Sequence, residues 1–218
     1  MATFSEENYL KAIFHLASND DVTVSTNAIA QKMETKASSA TDMIQKLFEK
    51  GLIDYQKYKG VKLTDKGRLA AASVIRKHRL WEVFLVDKLR FSWDEVHEVA
   101  EQLEHIKSRK LTLELDAFLG FPTEDPHGDP IPDTNGNMPA SLKLLLAKVK
   151  KAQRCICVGV KDSTPKFLQY LDKYKIALGT EITVLSKESY DESMAVNINN
   201  IQRTISKEVA HNLYVKIS

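Results

Sequence analysis

STNAIAQKMETKASSATDMIQKLFEKGLIDYQKYKGVKLTDKGR, residues 25–68, is the stretch whose reading decides the fold. Ser25 or Thr26 can open a short helix over NAIAQKM, because a hydroxyl there accepts from the free N–H groups of a first turn. ETKAS is a tight connector. Ser38, Ser39 and Thr41 then start a second helix, ATDMIQKLFEK, which Gly51 ends from the C′ position. LIDYQKYKGVKLT alternates apolar and polar residues around Lys59-Gly60, the pattern of a two-stranded hairpin. Upstream, FSEENYLKAIFHLA (4–17) carries apolar residues at helical spacing, with Ser5 placed to cap it.

Helix, helix, short turn, helix and hairpin form the order of a winged helix-turn-helix. In that arrangement the helix after the turn enters the major groove and the hairpin lies along the backbone. Between Tyr55 and Arg68 five cationic residues (Lys57, Lys59, Lys62, Lys66, Arg68) face one Asp. They concentrate positive charge on the hairpin in a chain whose net charge is only +2. A capped surface helix beside an exposed hairpin would show the same pieces singly; their succession favours the winged arrangement. The residues expected to meet DNA are Lys36, Ser38, Ser39, Thr41 and Asp42 on the helix, with Lys57, Tyr58 and Lys59 on the backbone.

Thr64-Asp-Lys-Gly67 leads into a long helix, RLAAASVIRKHRLWEVFLVDKL, and SWDEVHEVAEQLEHIKSRK (92–110) reads as another. Ser92 with Glu95 is a capping-box pattern, and the spacing predicts about five helical turns after it. At about 100° per residue, His97, Glu101, Glu104 and His105 share one face, beside an apolar stripe of Val96, Val99, Ala100, Leu103 and Ile106. Glu and His on a helix usually make a solvated face. Here Glu101 and Glu104 repel each other unless a cation sits between them, and carboxylates with neutral imidazoles are ligands for a divalent ion. His78 and Glu82 form a further i, i+4 pair, so metal binding across these two helices is the leading expectation.

The remaining chain is less charged with chemistry. Five of the six prolines lie in residues 121–141, marking a connector. Beyond it RCICVGV, EITVLSK, SMAVNIN and NLYVKIS read as four short strands with PKFLQYLDKYK as a turn or two of helix, which predicts a small β-barrel. Cys155 and Cys157 alternate onto one strand face and are expected to be reduced structural residues. The 43% apolar and 28% charged content describes a soluble globular protein of one to three domains, with no signal-peptide layout, so a cytoplasmic location is expected. Phosphate-cradling glycine loops and nucleophile elbows are missing from the sequence.

Order and residues together resemble the diphtheria toxin repressor family of metal-dependent transcriptional regulators, in its manganese- or iron-sensing branch with a C-terminal FeoA-like domain. RKHRLWEVFL (76–85), VHEVAEQLEH (96–105) and PHGDPIP (126–132) carry the likeness. The resemblance implies a mainly α fold with a β-barrel tail: winged helix-turn-helix over 1–72, helical metal-binding and dimerisation domain over 73–141 with its connector from 121, and a FeoA or Src-homology-like barrel over 150–218. It implies a homodimer that represses metal-uptake genes by binding a palindromic operator when Mn(II) or Fe(II) is bound between the first helix and the dimerisation helices, and no membrane role. By position, the primary site would comprise Asn8, Glu101, Glu104 and His105, and the ancillary site His78, Glu82 and His97. The connector and barrel would add Asp125, His127 and Asp162. Four departures stand out. Asn8 replaces a Met or Asp, Lys11 stands where the manganese type has a Glu ligand, Glu101 replaces a Cys, and Ser163 and Lys166 occupy the barrel's anchor positions.

Two other functions share these residue types. A di-metal carboxylate enzyme would place Glu-x-x-His on two bundle helices, and neither helix here has that spacing. A metal-independent winged-helix regulator would show DNA binding that metal does not change.

Overall fold

The computed structural model describes residues 2–17, 22–56, 59–139 and 143–218. The chain divides into two compact units, one of residues 1–78, 101–114 and 131–138, the other of 79–100, 115–130 and 139–218.

In the first unit, α1 (Phe4–Leu16), α2 (Thr26–Lys32) and α3 (Ala37–Glu49) precede the hairpin β1 (Ile53–Gln56) and β2 (Gly60–Leu63). Thr3 rather than Ser5 caps α1. Its hydroxyl accepts from the Glu6 N–H while the Glu6 carboxylate accepts from the Thr3 N–H. Ser25 caps α2 through the Ala28 N–H, and Gly51 takes φ +65° after α3, the left-handed stop its position calls for. Ile53 pairs with Leu63 and Tyr55 with Val61, while Val24 exchanges two 2.8 Å backbone hydrogen bonds with Val61. Leu10, Ile13, Ile29, Ala40, Ile44 and Leu47 fill the core between the three helices. This is the expected winged helix-turn-helix.

α4 (Asp65–Leu89) runs unbroken for 25 residues. The next segment departs from the single long helix that its spacing predicts. α5 covers only Val96–Leu103, and α6 begins afresh at Arg109–Phe118. The Ser92 amide and hydroxyl do bind the Glu95 carboxylate, at 3.1 and 2.6 Å, but they close a turn ahead of the helix. At the other end Ser108 accepts from the Leu111 N–H at 3.2 Å and opens α6, so a second cap competes with continuation. Glu104 and His105 therefore sit just past a helix end.

The second unit's sheet runs β3 (Leu144–Leu145), β8 (Leu213–Ile217), β4 (Arg154–Val160), β5 (Glu181–Lys187), β6 (Met194–Ile198) and β7 (Ile201–Ile205), all antiparallel. The expected barrel is thus an open six-stranded sheet among the described residues, with β3 and β7 as its edges. β3 and β7 were not among the four strands expected. α7 (Pro165–Lys173) and the one-turn α8 (Lys207–Ala210) contribute Leu168, Leu171, Val209 and Ala210 to its core, covering apolar surface that closure would otherwise bury. Cys155 and Cys157 point into that core, both free. Burial, reinforced by Cys157, pushes the Cys155 thiol up to about 11, so it stays protonated. No helix among the described residues is long and apolar enough to cross a membrane.

Ile44 is fully buried where α3 packs on α1 and α2. Ile44→Ala is expected to cost about 2–5 kcal/mol in urea unfolding followed by circular dichroism; a loss well under 1 kcal/mol would show that α3 does not anchor this core.

Candidate metal centre and DNA-binding surface

Among the described residues two carboxylate–imidazole clusters stand out, one in each unit. In the first, α1 presents Glu7 and Lys11. The Lys11 ammonium stands 2.8 Å from both carboxylate oxygens of Glu104 and 3.5 Å from Glu101. His78 on α4 places Nδ1 2.6 Å from the same Glu104 carboxylate, and His105 places Nδ1 2.6 Å from Glu7. His105 Nε2 faces Glu104 at 3.4 Å, is buried, and has no hydrogen-bond partner among the described residues. Glu104 is 0% exposed. Burial alone would lift its pKa, but the hydrogen bond from His78 and the charge of Lys11 more than offset this and hold it below the ordinary carboxylate value. Asn8 is half-buried beside Glu7. Spacing along single helices does not reveal Glu7, because its bond to His105 joins residues 98 apart.

In the second unit Glu82 of α4, 2% exposed, stands between two imidazoles. His97 Nδ1 is 3.3 Å from its Oε1 and His127 Nδ1 is 3.5 Å from its Oε2. Asp125 closes an Asx turn, accepting from the His127 and Asp129 amides at 2.7 and 3.0 Å, with Arg79 3.5 Å away. The Arg79 guanidinium also donates to the Pro130 carbonyl. His127 Nε2 donates to the Trp93 carbonyl at 2.8 Å, so the ring's other nitrogen is turned to the carboxylates. Glu82, Asp125 and His127 each offer a ligand atom, all within 4.8 Å of one another.

The charges of this second cluster are out of balance. Burial, then the charges of Glu82 and Asp129, push Asp125 up to about 7. Burial pulls the His127 imidazole down, but the hydrogen bond and charge of Glu82, with Asp125 and the Trp93 carbonyl, carry it up to about 9. The cluster thus holds a proton between buried acids, and a divalent cation bound by oxygens and an imidazole suits the same place. The backbone here is tightly constrained as well. Gly128 takes φ +78°, and a Cβ there would meet the Val158 carbonyl oxygen at 1.7 Å. Only glycine lets the Pro126–His127–Gly128 turn dock on β4, where the Val160 N–H bonds the His127 carbonyl.

The other sequence-selected residues distribute as follows. His78 lies one turn before Glu82 on α4 and is engaged with Glu104. Asp162 follows β4 and accepts from the Thr164 N–H at 2.9 Å, ahead of α7. Ser163 and Lys166 are exposed there. Lys36, Ser38, Ser39, Thr41 and Asp42 all lie exposed at the start of α3, with the Thr41 hydroxyl donating to the Ala37 carbonyl. Lys59 is exposed at the hairpin; Lys57 and Tyr58 lie outside the described residues.

Residues 1–61 match the family profile described as iron dependent repressor, N-terminal DNA binding domain. Residues 64–133 match iron dependent repressor, metal binding and dimerisation domain, and residues 144–217 match the FeoA domain. A solved manganese-dependent transcriptional repressor in complex with manganese is 35% identical, superposes with a TM-score of 0.86, and is covered in full by 98% of this chain. The chain belongs to the iron-dependent repressor family. It is also similar to ScaR, solved with bound Zn2+, which is 31% identical with a TM-score of 0.78 over 97% of this chain and 98% of its own. The iron-dependent repressor IdeR of Mycobacterium leprae is 36% identical over 126 residues, 58% of this chain. This chain spans about half of that curated relative, 54% of its length.

Glu104→Ala strips Lys11 and His78 of their shared buried acceptor. It is expected to destabilise the chelator-treated protein by about 3–5 kcal/mol in urea unfolding. A cost near that of an exposed pair, below about 1 kcal/mol, would show that the pair is not desolvated.

Proposed function

We propose that the chain is a metal-dependent repressor of metal-uptake genes whose controlling ion, Mn(II) or Fe(II), is held by Glu82, Asp125 and His127. The observation that carries this reading is the convergence of two buried carboxylates and one oriented imidazole within 4.8 Å. His97, already on Glu82, and Asp162, two residues beyond β4, are the side chains available to complete the set, and His78 lies one turn before Glu82 on the same helix. Such an oxygen-rich set with imidazole suits Mn(II) or Fe(II) and lacks the thiolate that would favour softer metals. Asn8, Glu101, Glu104 and His105 form the second cation position.

When bound, the dication supplies the positive charge that Glu82 and Asp125 otherwise share with a proton on His127. The protein's own groups do the rest. The Trp93 carbonyl keeps the imidazole turned toward the acids, and Gly128 keeps the connector on β4, so α4 and the connector are held in one arrangement. Holding one arrangement out of several is how a ligand raises DNA affinity without touching DNA. The working form is a cytoplasmic homodimer, organised as domains 1–72, 73–141 and 150–218, with exposed Phe118 and half-buried Trp81 and Phe84 at its helical surface. Leu85, beside Phe84 on α4, is buried. Two copies of α3 would read a palindromic operator with Ser38, Ser39, Thr41, Asp42 and Lys36 in successive major grooves, and the hairpin with Lys57, Tyr58 and Lys59 would hold phosphates. The protein acts by binding and not by catalysis.

Fluorescence anisotropy on fragments upstream of metal-uptake genes, at fixed salt, tests this directly. Mn(II) or anaerobic Fe(II) is expected to tighten binding by about 5–150-fold over chelator, a gain lost in Glu82→Gln. Equal affinity in chelator would contradict it. Lys59→Ala is expected to lower the slope of log affinity against log salt by about one unit without changing sequence preference; an unchanged slope would take Lys59 off the backbone.

A further inference from the structure

Lys11 is the group at the Asn8, Glu101, Glu104 and His105 cluster that the function above does not use. Its ammonium takes both oxygens of Glu104 at 2.8 Å and reaches Glu101 at 3.5 Å. The pair is well removed from water, with the Lys11 side chain 15% and the Glu104 side chain 1% exposed. A divalent ion on Glu104 would need the same oxygens, at about 2.0–2.6 Å, where the ammonium nitrogen already stands. Neutral Asn8 adds no charge to draw a dication in, and Lys77 adds positive potential, since it interacts electrostatically with Glu7 and Glu104.

We infer that Lys11 is a built-in cation that occupies this cluster in place of a metal ion, so that the chain takes up one regulatory dication where the cluster's ligand-type residues would otherwise hold a second. This rests on the reading of Glu82, Asp125 and His127 as the ion-controlled site, and concerns which of two cation positions is open. The ammonium does the tethering that an ion would do. It ties α1, on the DNA-binding side, to Glu104 whether or not metal is present, while His78 and the His105–Glu7 pair close the same cluster. Taking the ammonium away would leave Glu104, Glu101 and His105 Nε2, the buried nitrogen without a hydrogen-bond partner, with Asn8 one turn before Lys11 on α1. That is an oxygen-and-imidazole set for Mn(II), now without a counter-charge.

The test is the number of Mn(II) ions bound per chain, from equilibrium dialysis of the metal-stripped full-length protein with elemental analysis. Lys11→Met is expected to bind one ion more than the parent, Lys11→Arg the same number as the parent, and Lys11→Met/Glu104→Gln to return to the parent's number. Because the read-out is a difference, it is separate from the reading on which it rests. A parent that binds no ion, or whose uptake survives Glu82→Gln, overturns that reading, while the extra ion in Lys11→Met still supports the role of Lys11. Equal counts in parent and Lys11→Met overturn the inference. The unaltered chain gives a second measure, should Lys11→Met fold poorly. Amine labelling read by mass spectrometry is expected to leave Lys11 as protected in saturating Mn(II) as in chelator. A metal-dependent rise in Lys11 labelling would show that the ion displaces it, and would overturn the inference.

Discussion

A carboxylate taken out of water has to be met by positive charge, and among the buried acids described Glu82, Glu104 and Asp125, at 2%, 0% and 5% exposed, set the two clusters. Leaving any one of them uncompensated would cost several kcal/mol, a large part of a domain's net stability. Their neighbours are arranged accordingly. Glu104 meets an ammonium and an imidazole, and its acidity is held below the ordinary value. Glu82 and Asp125 meet Arg79 and two imidazoles, and the balance is poor enough that Asp125 is pushed up to about 7 and His127 up to about 9. One cluster is settled within the chain, and the other is the one proposed above to take an ion.

The backbone around the second cluster follows from that need. The Asx turn of Asp125, the left-handed Gly128 and the Val160 bond to the His127 carbonyl fix the connector against β4. The Trp93 carbonyl fixes the imidazole tautomer. These are supporting bonds of the kind that orient ligands and tune their basicity. They explain why a proline-rich stretch that reads as a mere linker carries two of the three converging residues.

Much of the fold could be read along the chain because it is local. The apolar period over α1, α3 and α4, the turn at Lys59-Gly60 and the stop at Gly51 each act within a few residues. The break between α5 and α6 is also local, and Ser108 was its signal; a continuous helical period hid it, because periodicity counts faces and not caps. The sheet's failure to close could not be read, since short strands are alike whether a barrel or two covering helices complete the core. For the site, helical spacing put His97, Glu101, Glu104 and His105 on one face. Their partners were out of its reach: Lys11 and Glu104 are 93 residues apart, and His127 meets Glu82 only because the connector folds back. Spacing finds donors of the right chemistry, whereas the chain's return path decides which charge each one meets.

Anomalous diffraction at the manganese edge, from crystals of the full chain grown with Mn(II), would locate the ion. The expected result is a single strong peak per chain among Glu82, Asp125 and His127, with Lys11 still on Glu104. A peak on Glu104 with Lys11 turned away, or none at Glu82, would contradict it.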